Sequence, residues 1–323
     1  MTGRSSFVTG AYGFLGAWLV KALLERGDRV TVLRVTPGGP FALEMMGLHQ
    51  HVSVVDGDVR DAAALDHALT DHHVESVFHL AAQAIVPIAN ESPVSTFDAN
   101  IRGTWTLLDA VHRHEVPHTV VASSDKAYGS HAELPYREDF ALQPTFPYDV
   151  SKAATDLMAR SYWHTLGVPV AVTRCSNLYG GGDLNVSRVV PEIVKAVLAG
   201  RRPVVRSDGS PERDFLYVED AAAAYLALDE ALGSEAVRGE AFNVGTGTPV
   251  SVATLVKVIA RLAETDVDPD FRGTGTPTGE IDRQFVDTSK IRAACGWEPT
   301  VELEEGIVRT IDWYREHPEA IGA

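Results

Sequence analysis

The stretch Phe7-Val8-Thr9-Gly10-Ala11-Tyr12-Gly13-Phe14-Leu15-Gly16 runs from a short apolar segment straight into three glycines spaced three residues apart. Residues 17–26 repeat apolar side chains with a helical period, and residues 29–34 form a second apolar run. A strand, a glycine turn, a helix and a strand in this order are typical of the first unit of a Rossmann-type α/β fold. The stretch therefore predicts a doubly wound parallel sheet.

The three glycines also carry a functional prediction. Gly10 allows a tight turn, Gly13 lets a diphosphate approach the backbone, and Gly16 lets the helix pack closely on the strand. A diphosphate at this point meets the positive N-terminus of the helix. We therefore interpret the segment as a dinucleotide-binding turn. The alternative is an ordinary glycine-rich connection.

The chain separates into two parts. Up to Arg174, short apolar runs alternate with helical patterns, which predicts parallel strands joined by helices. The runs lie at 52–55, 76–80, 119–122 and 168–173, and the helical patterns at 61–72 and 94–114. After Arg174 the alternation loosens, and helical patterns lie at 190–199, 218–232, 252–263 and 304–316. We predict a dinucleotide-binding domain over residues 1–174 and a smaller, mixed substrate-binding lobe over 175–323, with some chain returning to the first domain.

Composition narrows the range of partners. The 323 residues are 45% hydrophobic, and the formal net charge is −16. This acidity argues against nucleic acid and anionic membranes as partners. No apolar run is long enough to span a bilayer, and the first strand leaves no room for a signal peptide, so we expect a cytoplasmic protein. Cys175 and Cys295 do not suggest a disulfide framework, and we expect no metal site.

Tyr148 and Lys152 stand four residues apart in a helical pattern, about 25 residues after the segment Ser123-Ser124-Asp125-Lys126. Residues one turn apart lie on the same helix face, so the charge of Lys152 can favour the phenolate of Tyr148 and make it a base near neutral pH. Alone, such a pair is more often a solvated helix face. Its occurrence with the glycine turn favours a catalytic interpretation.

Taken in order, these segments resemble the extended short-chain dehydrogenases/reductases, in particular the NAD(P)-dependent nucleotide-sugar epimerases and dehydratases. The resemblance covers nearly the whole chain and implies an enzyme that binds NAD or NADP and a nucleotide-diphosphate sugar. Further matching segments are Gly57-Asp58-Val59-Arg60-Asp61, His79-Leu80-Ala81-Ala82, Asn100 with Gly103-Thr104, Arg174 with Asn177-Leu178-Tyr179-Gly180, Arg213-Asp214-Phe215 and Val218-Glu219-Asp220.

The resemblance implies a set of cofactor-binding residues. Asp58 and Val59 would lie along the adenine, and Ala81 and Ala82 along the inner ribose. Simpler alternatives exist, because Asp58 could cap the following helix and Asn100 could satisfy buried backbone groups. The implied set is Gly10, Tyr12, Gly13, Phe14, Leu15, Gly16, Arg34, Asp58, Val59, Leu80, Ala81, Ala82, Gln83, Asn100, Tyr148 and Lys152.

By the same resemblance Ser124, Tyr148 and Lys152 form the catalytic set, and the two residues after Ser124 separate the reactions. Oxidation at C4 of the sugar acidifies the C5 proton, so a dehydratase needs a base at C5 and an acid at the C6 hydroxyl. Asp125 is the candidate acid and must be protonated, through burial or a nearby anion. Lys126 is the candidate base and must be neutral, through burial or nearby cations such as Lys152. A charged pair on a solvated loop is the alternative.

The segment Ser124-Asp125-Lys126 resembles the CDP-glucose 4,6-dehydratases most closely. We predict a nucleotide-sugar 4,6-dehydratase, a lyase that yields a 4-keto-6-deoxy sugar nucleotide. A 4-epimerase or related oxidoreductase using the same serine, tyrosine and lysine is the first alternative, and a non-catalytic dinucleotide sensor is the next; a plain ketone reductase would differ from all of these by consuming reduced cofactor stoichiometrically. The second lobe departs from the CDP-glucose subfamily at residues 182–188 and 213–217, which leaves the nucleotide base open.

Substrate contacts are predicted in the loops of the second lobe. Arg188, Arg206 and Arg213 could bind a diphosphate, since a planar guanidinium grips phosphate oxygens bidentately. By resemblance Asn177 reaches the diphosphate or sugar, and Gln83 is placed beside the substrate as well as the cofactor. A basic surface is the alternative for the arginines.

Arg34, at the end of the second strand, bears on the choice of cofactor. NAD-preferring members of the family place an acid there to accept from the ribose 2′-hydroxyl, whereas an arginine favours the 2′-phosphate of NADP. Arg34 could instead stack on the adenine and leave NAD bound. The prediction therefore favours NADP while NAD stays open.

Helices at 94–114 and 147–166 would, by resemblance, form a four-helix bundle in a homodimer. Both carry large apolar side chains such as Trp105 and Leu157. The alternative is that these helices only cover the sheet, and spacing alone does not separate the two.

Overall fold

The computed structural model describes residues 3–35, 41–266, 268–275 and 281–321. Its strands are β1 (Ser5–Thr9), β2 (Arg29–Arg34), β3 (Ser53–Asp56), β4 (Ser76–His79), β5 (His118–Ala122), β6 (Val170–Cys175), β7 (Asn177–Tyr179), β8 (Val204–Val205), β9 (Glu212–Tyr217), β10 (Glu240–Val244), β11 (Pro249–Ser251), β12 (Asp270–Phe271) and β13 (Arg283–Gln284). Seven of them form a parallel sheet in the order β10-β6-β5-β4-β1-β2-β3. The predicted doubly wound α/β fold is confirmed.

Helices connect these strands. They are α1 (Phe14–Arg26), α2 (Ala42–Met45), α3 (Ala62–Asp71), α4 (Val86–Glu91), α5 (Pro93–Phe97), α6 (Gly103–Arg113), α7 (Pro147–Leu166), α8 (Val189–Leu198), α9 (Val218–Ala231), α10 (Val252–Leu262), α11 (Ser289–Cys295) and α12 (Leu303–Glu316). Within the described ranges, none of the helices combines the length and apolar character needed to cross a membrane.

Successive residues along a strand of the large sheet point to opposite faces, and each face packs into a separate hydrophobic core. Val8, Phe78 and Val120 pack with α1 and α9 on one face. Phe7 and Val77, each next in sequence to one of these, pack with α3 and α6 on the other. Because both faces are buried, the strands read as continuous apolar runs in the sequence. This is why apolar runs alone located the first six strands.

The order of the strands places a crevice beside β1. The chain passes from β1 outward to β2 and β3, then returns to β4 on the other side of β1 and continues to β5 and β6. Helices that follow β1 and β4 therefore diverge, and the carboxyl ends of the two strands border an open crevice. Ligands of doubly wound folds bind at such a reversal.

A smaller mixed sheet lies in the second half of the chain. β9 pairs with β11 antiparallel and with β7 and β13 parallel. The sheet packs with α8, α10 and α12 around a core of its own. α9 and β10 also follow residue 174, yet α9 packs on α1 and β10 pairs with β6. The boundary of a substrate lobe stays a prediction.

One predicted helix differs in form. The pattern at 94–114 folds as α5, a π-helical turn at Asp98–Arg102, and α6. Within the turn, Asn100 turns inward: its Oδ1 accepts from the amide of Gln83 at 2.6 Å and its Nδ2 donates to the carbonyl of Gln83 at 3.1 Å. The extra residue of a π turn re-aims side chains in this way, and apolar periodicity does not reveal it.

A buried ion pair fixes α7 against β6. Nε of Arg174 donates to Oδ2 of Asp156 at 2.8 Å and Nη2 to Oδ1 at 3.1 Å. Nη1 of Arg174 also donates to the hydroxyl of Tyr128 at 2.8 Å, and that hydroxyl donates to Oδ1 of Asn243 at 2.7 Å. These side chains are each at most 1% exposed. The network joins α7, the turn after β5, and β10.

Replacing Asp156 with asparagine should lower the free energy of unfolding by about 3–5 kcal/mol, because Arg174 would stay buried without its counterion. Urea unfolding followed by circular dichroism measures the loss. The matched control is Asp109→Asn, which removes an exposed ion pair to Arg113 on α6 and should change stability little. Equal losses in the two variants would contradict the assigned role of the buried pair.

Candidate active site

A cavity of about 980 Å³ opens at the carboxyl ends of β1, β4, β5 and β6, where the strand order reverses. Three groups of residues line it: the glycine turn with the ends of β2 and β4, the serine, tyrosine and lysine residues after β5 and on α7, and loops of the second half. The predicted site residues that line it are Gly10, Tyr12, Gly13, Phe14, Leu15, Gly16, Arg34, Leu80, Ala81, Ala82, Ser124, Lys126, Tyr148, Lys152, Asn177, Arg188, Arg206 and Arg213.

Two glycines of the turn stand where no side chain fits. Gly10 has a φ of 76°, and a Cβ there would lie 2.7 Å from the backbone of Leu80 and Ala81. A Cβ on Gly16 would lie 2.2 Å from the carbonyl oxygen of Gly10. Gly13 is the N-cap of α1 and, as a glycine, has no side chain with which to cap it. The first amides of α1 are therefore left for a ligand, which fits the diphosphate of a dinucleotide.

The chain after β5 folds into a 3₁₀ turn, Asp125–Tyr128. Ser124 caps this turn, since its Oγ accepts from the amide of Lys126 at 3.2 Å and donates to Oδ1 of Asp125 at 3.2 Å. Ser124 and Lys126 line the cavity, whereas Asp125 is 2% exposed and lies behind them. The turn thus holds a hydroxyl, an amine and a carboxyl group within one short segment.

Asp125 has the environment that a general acid requires. Burial raises the pKa of its carboxyl group to about 7, Lys126 opposes the rise, and the nearby Asp214 adds to it. Asp214 is itself buried and accepts from the amides of Thr246 at 2.9 Å and Gly247 at 3.0 Å. A group with this pKa is about half protonated at neutral pH. Asp125 thus has both burial and a nearby anion, either of which would favour its protonated form, and its role as the acid stays a prediction.

Tyr148 and Lys152 lie in the first two turns of α7. Nζ of Lys152 donates to the carbonyl oxygen of Ala122 at 2.8 Å and lies 6.0 Å from the centre of the Tyr148 ring. Burial raises the pKa of Tyr148 to about 12, with the cation of Arg188 opposing it, and burial lowers the pKa of Lys152 to about 8. The expected ionisation of Tyr148 near neutral pH is therefore not seen, because desolvation of the phenolate outweighs the nearby charges.

Two carboxyl groups lie near enough to Lys126 to feel its charge. Burial raises the pKa values of both Asp125 and Asp149, and Lys126 opposes both rises. Nζ of Lys152 is bound to a backbone carbonyl, and the expected influence of its charge on Lys126 stays a prediction. Asp149 lines the cavity and was not predicted. Asp149 occupies one of the three positions between Tyr148 and Lys152 at which the motif allows any residue. An acidic residue directly after the tyrosine is the one feature of the sequence that could have indicated a role in the site.

The predicted substrate residues of the second half reach the same cavity. Arg188, Arg206, Arg213 and Asn177 line it. Nη1 of Arg188 donates to Oδ2 of Asp183 at 3.0 Å, which holds this arginine at the start of α8. Nη1 of Arg213 donates to two backbone carbonyl oxygens, at 2.9 and 3.1 Å. Three guanidinium groups in one cavity of an acidic chain can bind a diphosphate.

Several predicted residues make structural contacts instead. Oδ2 of Asp58 accepts from Nη2 of Arg60 at 2.7 Å, and Val59 packs against Gly103. Asn100 is 1% exposed and bonded to backbone, so its observed contacts are those of the simpler alternative. The predicted site residues that do not line the cavity are Asp58, Val59, Gln83, Asn100 and Asp125.

Comparisons with known proteins place this arrangement in a family. The family model described as GDP-mannose 4,6 dehydratase matches residues 7–310. A dTDP-glucose 4,6-dehydratase of Streptomyces antibioticus is 35% identical, over 96% of this chain and 92% of the relative. The human dTDP-D-glucose 4,6-dehydratase is 29% identical, over 96% of this chain and 89% of the relative.

Solved structures give the same result. A dTDP-glucose 4,6-dehydratase from Streptomyces venezuelae with NAD bound has a TM-score of 0.87 and 29% identity, covering 98% of each chain. A UDP-glucose 4-epimerase from Thermotoga maritima with UDP-glucose has a TM-score of 0.88 and 28% identity, covering 97% of this chain and 99% of the epimerase. The resemblance to the extended nucleotide-sugar epimerases and dehydratases is confirmed. This chain belongs to the GDP-mannose 4,6 dehydratase family.

Proposed function

We propose that the protein is an NAD-dependent nucleotide-sugar 4,6-dehydratase, a lyase that forms a 4-keto-6-deoxy sugar nucleotide. One observation carries the proposal: the turn that presents Ser124 to the cavity also holds Lys126 and the buried carboxyl group of Asp125, whose pKa lies at about 7. A reaction confined to C4 needs no such acid and base. The curated relatives named as dTDP-glucose 4,6-dehydratases support the proposal.

The first step is oxidation at C4 of the sugar. We assign Tyr148 as the base that removes the C4 hydroxyl proton, with Ser124 hydrogen-bonded to the same oxygen. Lys152, with a pKa of about 8, is mostly charged at neutral pH, and its charge favours the phenolate form in which Tyr148 can accept that proton. NAD, when bound, would supply the acceptor for a hydride from C4 and the donor of that hydride to C6 once water has left, and C5 would then regain a proton from Lys126.

The second step removes water across C5 and C6. The new ketone acidifies the proton on C5. We assign the removal of this proton to the amine of Lys126. Because Asp125 lies behind the cavity lining, we assign its proton a path through Ser124: protonated Asp125 donates to Oγ of Ser124 while that hydroxyl gives its own proton to the departing C6 oxygen. The elimination should weaken as pH rises through about 7, because deprotonated Asp125 has no proton to donate.

A nucleotide-sugar 4-epimerase is the second candidate. The solved epimerase from Thermotoga maritima is as similar in fold as the dehydratase from Streptomyces venezuelae. The glycine turn, Ser124, Tyr148 and Lys152 serve both reactions. Asp125 and Lys126 have no part in epimerisation and favour the dehydratase.

Mass spectrometry of products tests the proposal. Purified protein would be incubated with NAD and, separately, dTDP-glucose, CDP-glucose, GDP-mannose, UDP-glucose and UDP-N-acetylglucosamine. We include dTDP-glucose because the relatives are named for it, and CDP-glucose because the segment at 124–126 resembles that subfamily. Loss of one water from one substrate is expected. The substrate that loses water would also identify the nucleotide base that the enzyme accepts. An isomer of unchanged mass would instead establish the epimerase.

Arg34 is paired with a carboxylate, and this pairing bears on the choice between NAD and NADP. Nε of Arg34 donates to Oδ1 of Asp56 at 2.6 Å and Nη2 to Oδ2 at 2.9 Å. A guanidinium already paired with a carboxylate offers little to a 2′-phosphate, which the same carboxylate repels. The solved dehydratase with NAD also supports NAD. We therefore propose NAD in place of the earlier preference for NADP.

Releasing Arg34 should change this preference. In Asp56→Asn the guanidinium is free to pair with a 2′-phosphate, and the affinity for NADP relative to NAD should rise about tenfold, as expected for one charge-assisted contact. Fluorescence titration of both cofactors measures the ratio. The double variant Asp56→Asn, Arg34→Ala should lose the gain. An unchanged ratio in Asp56→Asn would mean that this pair does not select the cofactor.

We also propose that the protein forms a homodimer through α5, α6 and α7. These helices expose large apolar side chains: Val94 is 80% exposed, Trp105 47% and Leu157 55%. Burial of this surface between two copies would remove it from water. A monomer mass in light scattering would rule out the proposal.

A further inference from the structure

The cavity contains a carboxylate that the proposed reaction does not use. Asp149 lies in the first turn of α7, directly after Tyr148, is 7% exposed and lines the cavity. Within the described ranges of the chain, its carboxylate makes no hydrogen bond or ion pair. Its interaction with a charged group is the longer-range attraction of Lys126.

A carboxylate in this position needs an explanation. An acid in the first turn of a helix gains from the helix dipole, and α12 shows the usual form of this arrangement. There Glu304 and Glu305 are exposed and each is paired with an arginine. Asp149 is instead withdrawn from solvent and faces an internal space, where an unpaired carboxylate is costly unless a ligand supplies a donor.

We propose that Asp149 is a substrate-binding residue whose carboxylate accepts a hydrogen bond from a hydroxyl group of an uncharged hexose. The inference rests on the proposed function, because Tyr148 acts at C4 and therefore places the sugar beside the next residue. Hydroxyl groups are the donors that a hexose offers. The same carboxylate should repel a sugar that carries a carboxylate at C6, so that nucleotide-linked uronic acids are disfavoured.

The charges around Asp149 give the interaction a pH dependence. Lys126 faces it from the 3₁₀ turn, Tyr148 from its own helix, and Tyr136 from the loop before α7. Burial raises the pKa of Asp149 to about 6, and Lys126 opposes the rise. Because the ionised form is the stronger acceptor, affinity for the sugar should fall as pH drops through about 6.

Binding measurements on Asp149→Asn test the proposal. Calorimetry would compare dTDP-glucose with dTDP, and CDP-glucose with CDP, in the cofactor-loaded protein. Loss of a charge-assisted hydrogen bond should weaken binding of the sugar nucleotide that the wild type accepts by roughly 10- to 100-fold. The matching nucleoside diphosphate lacks the hexose and should bind within about twofold of wild type. The pH dependence near 6 should disappear, and UDP-glucuronate should bind more tightly to the variant than to the wild type.

Glu305→Gln is the matched control, because it removes a first-turn carboxylate from α12 that does not line the cavity, and it should leave both affinities unchanged. Asp149→Ser provides a second variant if the asparagine variant does not fold. Equal weakening of the sugar nucleotide and the nucleoside diphosphate, or no weakening of either, would overturn the proposal. Binding does not depend on turnover, so absence of water loss by the wild type would reject the dehydratase and leave this test standing.

Discussion

Replacing Lys126 with methionine should abolish water loss and leave oxidation at C4 in place. Methionine keeps the length of the side chain and removes the amine that we assign as the base at C5. A positioned base contributes roughly 10²- to 10⁴-fold to a proton transfer, so product formation should fall by at least that range. Rapid mixing with substrate should show absorbance of the reduced cofactor that rises and persists, because the C4 ketone no longer goes forward.

Lys21→Met is the control for this variant. Lys21 lies on α1, paired with Glu25 at the surface, and its loss should leave turnover unchanged. If Lys126→Met forms product at the wild-type rate, Lys126 is not the base. Loss of product together with loss of the reduced-cofactor signal would show that Lys126 is needed for oxidation itself, which contradicts its assignment as the base at C5 alone.

Replacing Tyr148 with phenylalanine should stop the reaction one step earlier. The phenol is the group that we assign to the C4 hydroxyl proton, so its loss should lower the rate of C4 oxidation by roughly 10²- to 10⁴-fold. Neither reduced cofactor nor product should then appear in a rapid-mixing experiment. Substrate affinity should change little, because the ring itself remains.

Tyr162→Phe removes another hydroxyl group from α7, outside the residues that line the cavity, and should behave as wild type. The two variants of the active site form a diagnostic pair. Lys126→Met should accumulate oxidised sugar, whereas Tyr148→Phe should accumulate nothing. A Tyr148→Phe variant that still reduces its cofactor at the wild-type rate would remove Tyr148 from the mechanism.

The large sheet was predictable because its strands are buried on both faces and read as apolar runs. The strand β10 was not found in this way. It lies between α9 and β11 in sequence and joins the edge of the sheet through β6. The paired residues are 69 positions apart, as in Ala171 with Glu240, and local patterns do not encode such a pairing. The π turn that aims Asn100 inward was not predicted either. Its one extra residue barely alters the apolar period of the helix.

The sequence predicted those site residues whose type and spacing form a motif with few structural explanations. The glycine turn, Ser124, Tyr148 and Lys152 are of this kind, and the cavity brings them together. For Asp125 the sequence indicated only the condition for a raised pKa, and for Tyr148 it predicted the wrong direction, because the pKa values of both groups follow from burial, which is a property of the whole fold.

Pairing between side chains was also beyond sequence reasoning. Arg34 reads as a free cation until β3 places Asp56 beside it. Asp149 reads as a variable position until the first turn of α7 presents it to the cavity. In both cases the function of the residue depends on which neighbour the packing of the strands or helix supplies.

Isotope transfer within the sugar tests the central claim most directly. The substrate found by mass spectrometry would be prepared with deuterium at C4, and the label would be located in the product by nuclear magnetic resonance. A 4,6-dehydratase moves this hydrogen from C4 to C6, so deuterium in the new C6 methyl group is the predicted result. Deuterium that remains at C4 of an isomerised sugar would contradict the account and identify an epimerase.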